Sequence, residues 1–101
     1  MSQVRRISKN NTKVYRDELR SQVWLYDTCI VEVTPSHIML RTGGWLTSTT
    51  ITRMNQVSHE WGLGYSASRR GGEFSVRFKG QDIIGGDTIV LERGEHEEVT
   101  T

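Results

Sequence analysis

At 101 residues, with 35% hydrophobic and 25% charged side chains and a net charge of +1, the chain suits one soluble domain and is too short for two independent cores. No apolar run approaches the roughly 18 residues that a membrane-spanning helix needs, so no membrane association is expected. The single cysteine, Cys29, excludes an intrachain disulfide and a multi-cysteine zinc site and fits a reducing, cytoplasmic setting.

Residues 1 to 12 lack periodicity and carry Arg5, Arg6 and Lys9, which predicts a mobile basic arm; Lys9, Asn10 and Asn11 stand where a secretion signal would need apolar residues. Residues 13 to 91 form the expected domain, and the glutamate-bearing stretch 92 to 101 an acidic tail. Within Lys13 to Gln22, the placing of Val14, Tyr15 and Leu19 ahead of Val23 allows a short helix. From Trp24 to Val33 β-branched and aromatic residues dominate, predicting one strand with Cys29, Val31 and Val33 on one face and Thr28, Ile30 and Glu32 on the other. Thr34-Pro35-Ser36 supplies a turn, and His37 to Arg41 resumes an extended pattern with Ile38 and Leu40 inward. Gly43-Gly44 ends this hairpin.

From Thr49 or Thr50 to Trp61 the apolar residues Ile51, Met54, Val57 and Trp61 recur at three- and four-residue steps, which predicts an amphipathic helix. Hydroxyl residues precede it as N-cap candidates, and Gly62 follows as a left-handed C-terminal residue, with Leu63 placed to pack back. Tyr65 to Ser68 and Glu73 to Lys79 read as a second hairpin around Arg69-Arg70-Gly71-Gly72, with Phe74, Val76 and Phe78 alternating against Ser75, Arg77 and Lys79. Ile83-Ile84 supplies an apolar contact before a Gly85-Gly86-Asp87 turn, and Thr88 to Leu91 is long enough for a further edge strand. The order β-β-α-β-β implies an α+β fold, a small antiparallel sheet with the helix packed on one face.

The sequence before the helix carries the clearest binding chemistry. Helix N-termini present unpaired N–H groups and a partial positive charge, so Gly43, Gly44, Thr47, Thr49 and Thr50, with Arg53 from the first turns, make a candidate phosphate site. The alternative is that the glycines permit a bend, Trp45 fills the core and the threonines cap the helix. No Gly-Lys-Ser/Thr follows, so nucleotide hydrolysis is not indicated. Arg69, Arg70, Arg77 and Lys79 place four cations on one hairpin, suited to a nucleic-acid backbone or simply to a solvated sheet face. Trp45 and Tyr65 are the candidate stacking residues, against a core role for each. Trp24-Leu25-Tyr26 fits either an exposed aromatic patch or a core anchor, and the core is favoured.

The pattern Gly43-Gly44-Trp45-x-Thr47-x-Thr49-Thr50, then Arg53-x-Asn55-Gln56 and Gly62-Leu63-Gly64-Tyr65, resembles one in short proteins of tailed phages and bacterial mobile elements. The likeness covers about residues 27 to 91 and implies a hairpin, a threonine-rich helix start and a second hairpin. It implies a source and a fold more than an activity. Leu46 and Ile51 stand where that group would have basic side chains, which weakens a strongly cationic phosphate site.

His37, His59 and His96 lie far apart, and no serine elbow or paired carboxylates appear, so neither a metal, a cofactor nor catalysis is expected. The resulting expectation is a phage-type accessory protein in the host cytoplasm that binds nucleic acid or a nucleotide. Its rival is a protein-binding inhibitor or modulator of a host enzyme, and a homodimer suits a chain with a free sheet edge.

Overall fold

Alternating apolar side chains and closely spaced turns make this chain mostly strand, with one interruption where the period changes to that of a helix. The computed structural model describes residues 11–44 and 46–93. In chain order these form β1 (Thr12–Tyr15), β2 (Ser21–Leu25), β3 (Thr28–Val33), β4 (His37–Arg41), α1 (Ser48–Trp61), β5 (Tyr65–Arg70), β6 (Glu73–Phe78), β7 (Gln81–Gly85) and β8 (Thr88–Glu92). The class is α+β with antiparallel pairing throughout, as expected. The single small sheet is corrected to two, ordered β1-β2-β3-β4-β8 and β5-β6-β7.

Three local expectations fail for tertiary reasons. The segment read as a short helix instead supplies β1, because Lys13 pairs with Trp24 and Val14 with Val23 across a hairpin; cross-strand partners override a weak helical spacing. The strand expected from Trp24 to Val33 is two strands folded at Tyr26-Asp27. Tyr26 takes a left-handed φ of 55° there, held by its N–H on the Asn11 carbonyl at 2.8 Å and by Asn11 Nδ2 donating to its phenol oxygen at 3.1 Å. Finally, Gln81 to Gly85 is a full strand paired with β6, not an isolated apolar contact.

A bulge explains why β3 does not alternate simply. Val23 faces Val31 while Trp24 faces Cys29, so Ile30 is the extra residue. Ile30 and Val31 therefore both enter the core. Cys29 is turned to the Trp24 side, away from Val31 and Val33, which corrects the predicted face.

The core is built from the inner faces of β2, β3, β4 and β8, the Met54 and Val57 side chains of α1, and Tyr65, Ala67, Phe74 and Val76 from the other sheet. Helix α1 is capped as its sequence predicts. Thr47 Oγ1 accepts the Thr50 N–H at 3.2 Å, Gly62 is left-handed at φ 63°, and the Leu63 N–H reaches the Ser58 carbonyl at 3.0 Å.

The helix fastens to both sheets by polar side chains. On β5, Asn55 accepts the Ala67 N–H at 2.7 Å and donates to its carbonyl at 3.0 Å, while Ser58 Oγ donates to the Tyr65 carbonyl at 2.7 Å and accepts its N–H at 3.1 Å. These side chains satisfy the backbone groups of β5 that point away from β6, so the helix covers a strand edge. At β1, Arg53 Nε donates to Thr12 Oγ1 at 3.0 Å, and the Arg16 guanidinium lies 4.2 Å from the centre of the Trp61 ring.

Tyr65 is also locked from inside, its buried phenol donating to the Met54 carbonyl at 2.6 Å. Burial pushes this phenol well above its ordinary ionisation range. Above about pH 10 the unfolded chain releases the Tyr65 proton and the folded chain keeps it, so the contribution to stability is whole below that pH and is lost as pH rises further. Urea unfolding at pH values either side of 10 is expected to show a loss approaching 1.4 kcal/mol per pH unit from this group. Tyr65→Phe, though less stable at neutral pH, should show a flatter alkaline limb; an unchanged limb would assign the loss elsewhere.

Candidate functional site

The turn between β4 and α1 is shaped by close approach. Gly43 has φ 65°, and a Cβ placed there would lie 2.6 Å from Thr28 Cγ2, so only glycine lets this turn lie against β3. Thr42 anchors the same turn, its Oγ1 accepting the Gly44 N–H at 3.2 Å and donating to Asp87 Oδ1 at 3.2 Å. Between this turn, the helix start and the Tyr26-Asp27 turn is a cleft of about 490 Å³. Thr28, Thr42, Thr47, Thr49 and Thr50 line it, over a floor that includes Leu25 and Ile30.

The predicted site residues divide. Thr47, Thr49 and Thr50 line the cleft, and Gly43 and Gly44 form the turn beside it. Trp45 lies outside the described residues, as does His96. Arg53 does not line the cleft. It is only 8% exposed and holds Thr12 and, through Nη1 at 3.2 Å, Gln56 Oε1; burial lowers its pKa, opposed by the nearby Tyr26. Tyr65 is in the core, with no face free for stacking.

The four hairpin cations do not form one patch. Arg69 faces the inner side, opposite Phe74, and its Nη1 donates to the Leu46 carbonyl at 3.1 Å, which brings it to the helix start. Arg70 is opposite Glu73 at the tip. Arg77 sits toward the other end of β6, paired with Asp82 at 3.1 Å, and Lys79 Nζ donates to the Arg93 carbonyl at 2.6 Å.

A second concavity, about 420 Å³, lies on the opposite side of the Tyr26-Asp27 turn. Lys13 and Tyr15 of β1 and Gln22 and Trp24 of β2 line it with that turn. Tyr15 is 53% and Tyr26 66% exposed, and Trp24 is half-buried with its indole N–H on Gln22 Oε1 at 3.1 Å. The Trp24-Leu25-Tyr26 segment thus splits, Leu25 entering the core and both aromatics lining the groove. The helical spacing of Val14, Tyr15 and Leu19 hides Tyr15 as a groove residue; the alternation of Lys13 and Tyr15 with Thr12 and Val14 is the signal in the sequence that reveals it. Behind Trp24, burial raises the Cys29 pKa, Glu32 adds to the rise and Arg41 opposes it, so the thiol stays protonated and unreactive.

Among the described residues no group of three His, Cys, Asp or Glu side chains is arranged to hold a metal, and no helix is long and apolar enough to cross a membrane. The family model described as Kyanoviridae Gp96 protein matches residues 1–96. Comparison with curated proteins and with solved structures gives no match.

Proposed function

This chain belongs to the Kyanoviridae Gp96 family of phage proteins, and we propose that it is a non-enzymatic accessory protein that acts by binding a protein partner through the aromatic groove of β1 and β2. The observation that carries this reading is the placing of Tyr15, Trp24 and Tyr26 around one open groove on the sheet face away from the core. Tyrosine and tryptophan offer large contact areas at small entropic cost and dominate interface hot spots. Lys13 and Asp27 give the groove charges of both signs, which favour orientation of a mixed polar and apolar partner over a polyanion.

Tyr15→Ser combined with Tyr26→Asn tests this, because both side chains are exposed and asparagine tolerates a left-handed φ. A host protein captured by the wild-type chain in the presence of nuclease should bind the double variant about 30-fold more weakly or worse, the effect of losing a hot spot of roughly 2 kcal/mol. Equal capture by the two, or capture abolished by nuclease, would overturn the reading.

A second reading, a phosphate-bearing ligand such as nucleic acid or a nucleotide at the helix start, is favoured by one observation: Arg69 reaches the Leu46 carbonyl, one residue before the Thr47 cap. It requires that DNA affinity fall steeply as salt rises, because bound phosphates release counterions. Retention on DNA unchanged between low and high salt would count against it.

A further inference from the structure

We propose that the groove of β1 and β2 takes its protein partner as a proline-rich segment in the polyproline helix, with an arginine or lysine of that segment against Asp27. This names the partner's chemistry within the protein-binding reading above and rests on it. The order of the aromatics along the sheet is the first support. Tyr26 lies level with Asn11, whose carbonyl accepts its N–H, while Trp24 is paired with Lys13 and Tyr15 with Gln22. Tyr26, Trp24 and Tyr15 therefore follow one another at successive levels of the groove they line. From the level of Tyr26 to that of Gln22 and Tyr15 is roughly 13 Å at the strand rise of about 3.3 Å per residue. A polyproline helix, rising about 3.1 Å per residue, covers that length in about five residues. Trp24, half-buried and held by Gln22, is the fixed floor between two exposed tyrosines.

Hydrogen-bonding capacity decides between backbone conformations. An indole N–H only donates, so the atom of Gln22 that meets it at 3.1 Å is Oε1, and the amide NH₂ is the part of Gln22 left to a ligand. Tyr26 accepts from Asn11 Nδ2 at 3.1 Å, which leaves its phenol proton to donate. With the Lys13 ammonium and the Tyr15 phenol these give a wall whose described side chains mostly donate. A polyproline helix suits such a wall, because its carbonyls have no internal partner and its prolines bring no N–H to be satisfied. An α-helix keeps its carbonyls for itself, and an extended strand brings an N–H at every residue. Pyrrolidine rings also stack on aromatic faces, and their fixed φ lowers the entropy lost on docking. Asp27, exposed at the turn beside Tyr26, takes the segment's cation and fixes the direction in which it runs.

Titration of the ¹⁵N-labelled full chain with proline-rich decapeptides, carrying an arginine at one end, at the other or at neither, tests the assignment. Saturable shifts of the Lys13, Tyr15, Gln22 and Trp24 amides and of the Trp24 indole N–H are expected. Replacing the peptide prolines by alanine, which leaves the protein untouched, should weaken binding about tenfold or more, and so should Tyr15→Ser combined with Tyr26→Asn. Asp27→Asn should weaken the arginine peptides and leave those without arginine unchanged. The proposal is overturned by the absence of saturable shifts with every proline peptide, by equal binding of the alanine peptides, or by tighter binding of a strand-forming valine and threonine peptide of the same charge. An arginine preference that survives Asp27→Asn overturns the placing of the cation. If the double variant loses the captured host protein while proline peptides leave the groove amides unmoved, the partner reading stands and the polyproline assignment fails. If host-protein capture is equal in wild type and double variant, the partner reading itself fails.

Discussion

Phe74→Ala is expected to lower the unfolding free energy by about 3–5 kcal/mol, the cost of removing a large buried aromatic and leaving a cavity that neighbours fill only in part. Phe74 is 1% exposed and belongs to the common core of both sheets and the helix. It projects from β6, the central strand of its sheet, which is hydrogen-bonded on both sides and little able to move inward. Domains of this size have about 5–15 kcal/mol in total, so the change consumes a large part of the margin. Urea denaturation should show a lower midpoint with an unchanged slope. A loss below about 1 kcal/mol would mean that the core closes over the missing ring, contrary to the packing described.

Asn55→Ala is expected to cost about 2–4 kcal/mol although the side chain is polar and only partly buried, because two backbone groups of Ala67 lose their partners together. The edge of β5 is uncovered at the same place. Reduced stability should therefore be accompanied by concentration-dependent self-association, visible by size-exclusion chromatography with light scattering. Asn55→Asp separates the two bonds, since it keeps an acceptor for the Ala67 N–H and removes the donor to its carbonyl. It should fall between wild type and alanine in stability. If alanine is as stable and as monomeric as wild type, the edge-covering role of the helix is wrong.

The body of helix α1 was legible from sequence because its period and left-handed glycine are local and lie where the pattern of Ile51, Met54, Val57 and Gly62 puts them, whereas its start at Ser48, capped by Thr47, comes one or two residues before the expected Thr49 or Thr50. The hairpins around Thr34-Pro35-Ser36 and Gly71-Gly72 were legible for the same reason. The Tyr26-Asp27 turn was not, since its left-handed residue is a tyrosine stabilised by Asn11, fifteen positions away. The Ile30 bulge and the division into two sheets are likewise set by pairing between distant segments. Of the candidate site, the threonines fell together because they are neighbours in sequence. The cations separated because alternate residues of a strand face opposite ways and its two ends lie far apart. Arg53 was spent on bracing β1, a use that no local pattern announces.

The fastening of α1 to β5 at Asn55 and Ser58, and to β1 at Arg53, also has a kinetic meaning. The threonine cleft sits at the N-terminal end of a helix tied to both sheets, so opening it by tilting the helix would break several bonds at once. The mouth of the cleft is therefore set by the fold itself. The phosphate-bearing ligand of the second reading should associate at this cleft in a single second-order step whose observed rate rises linearly with ligand concentration, without the plateau that a slow opening step imposes.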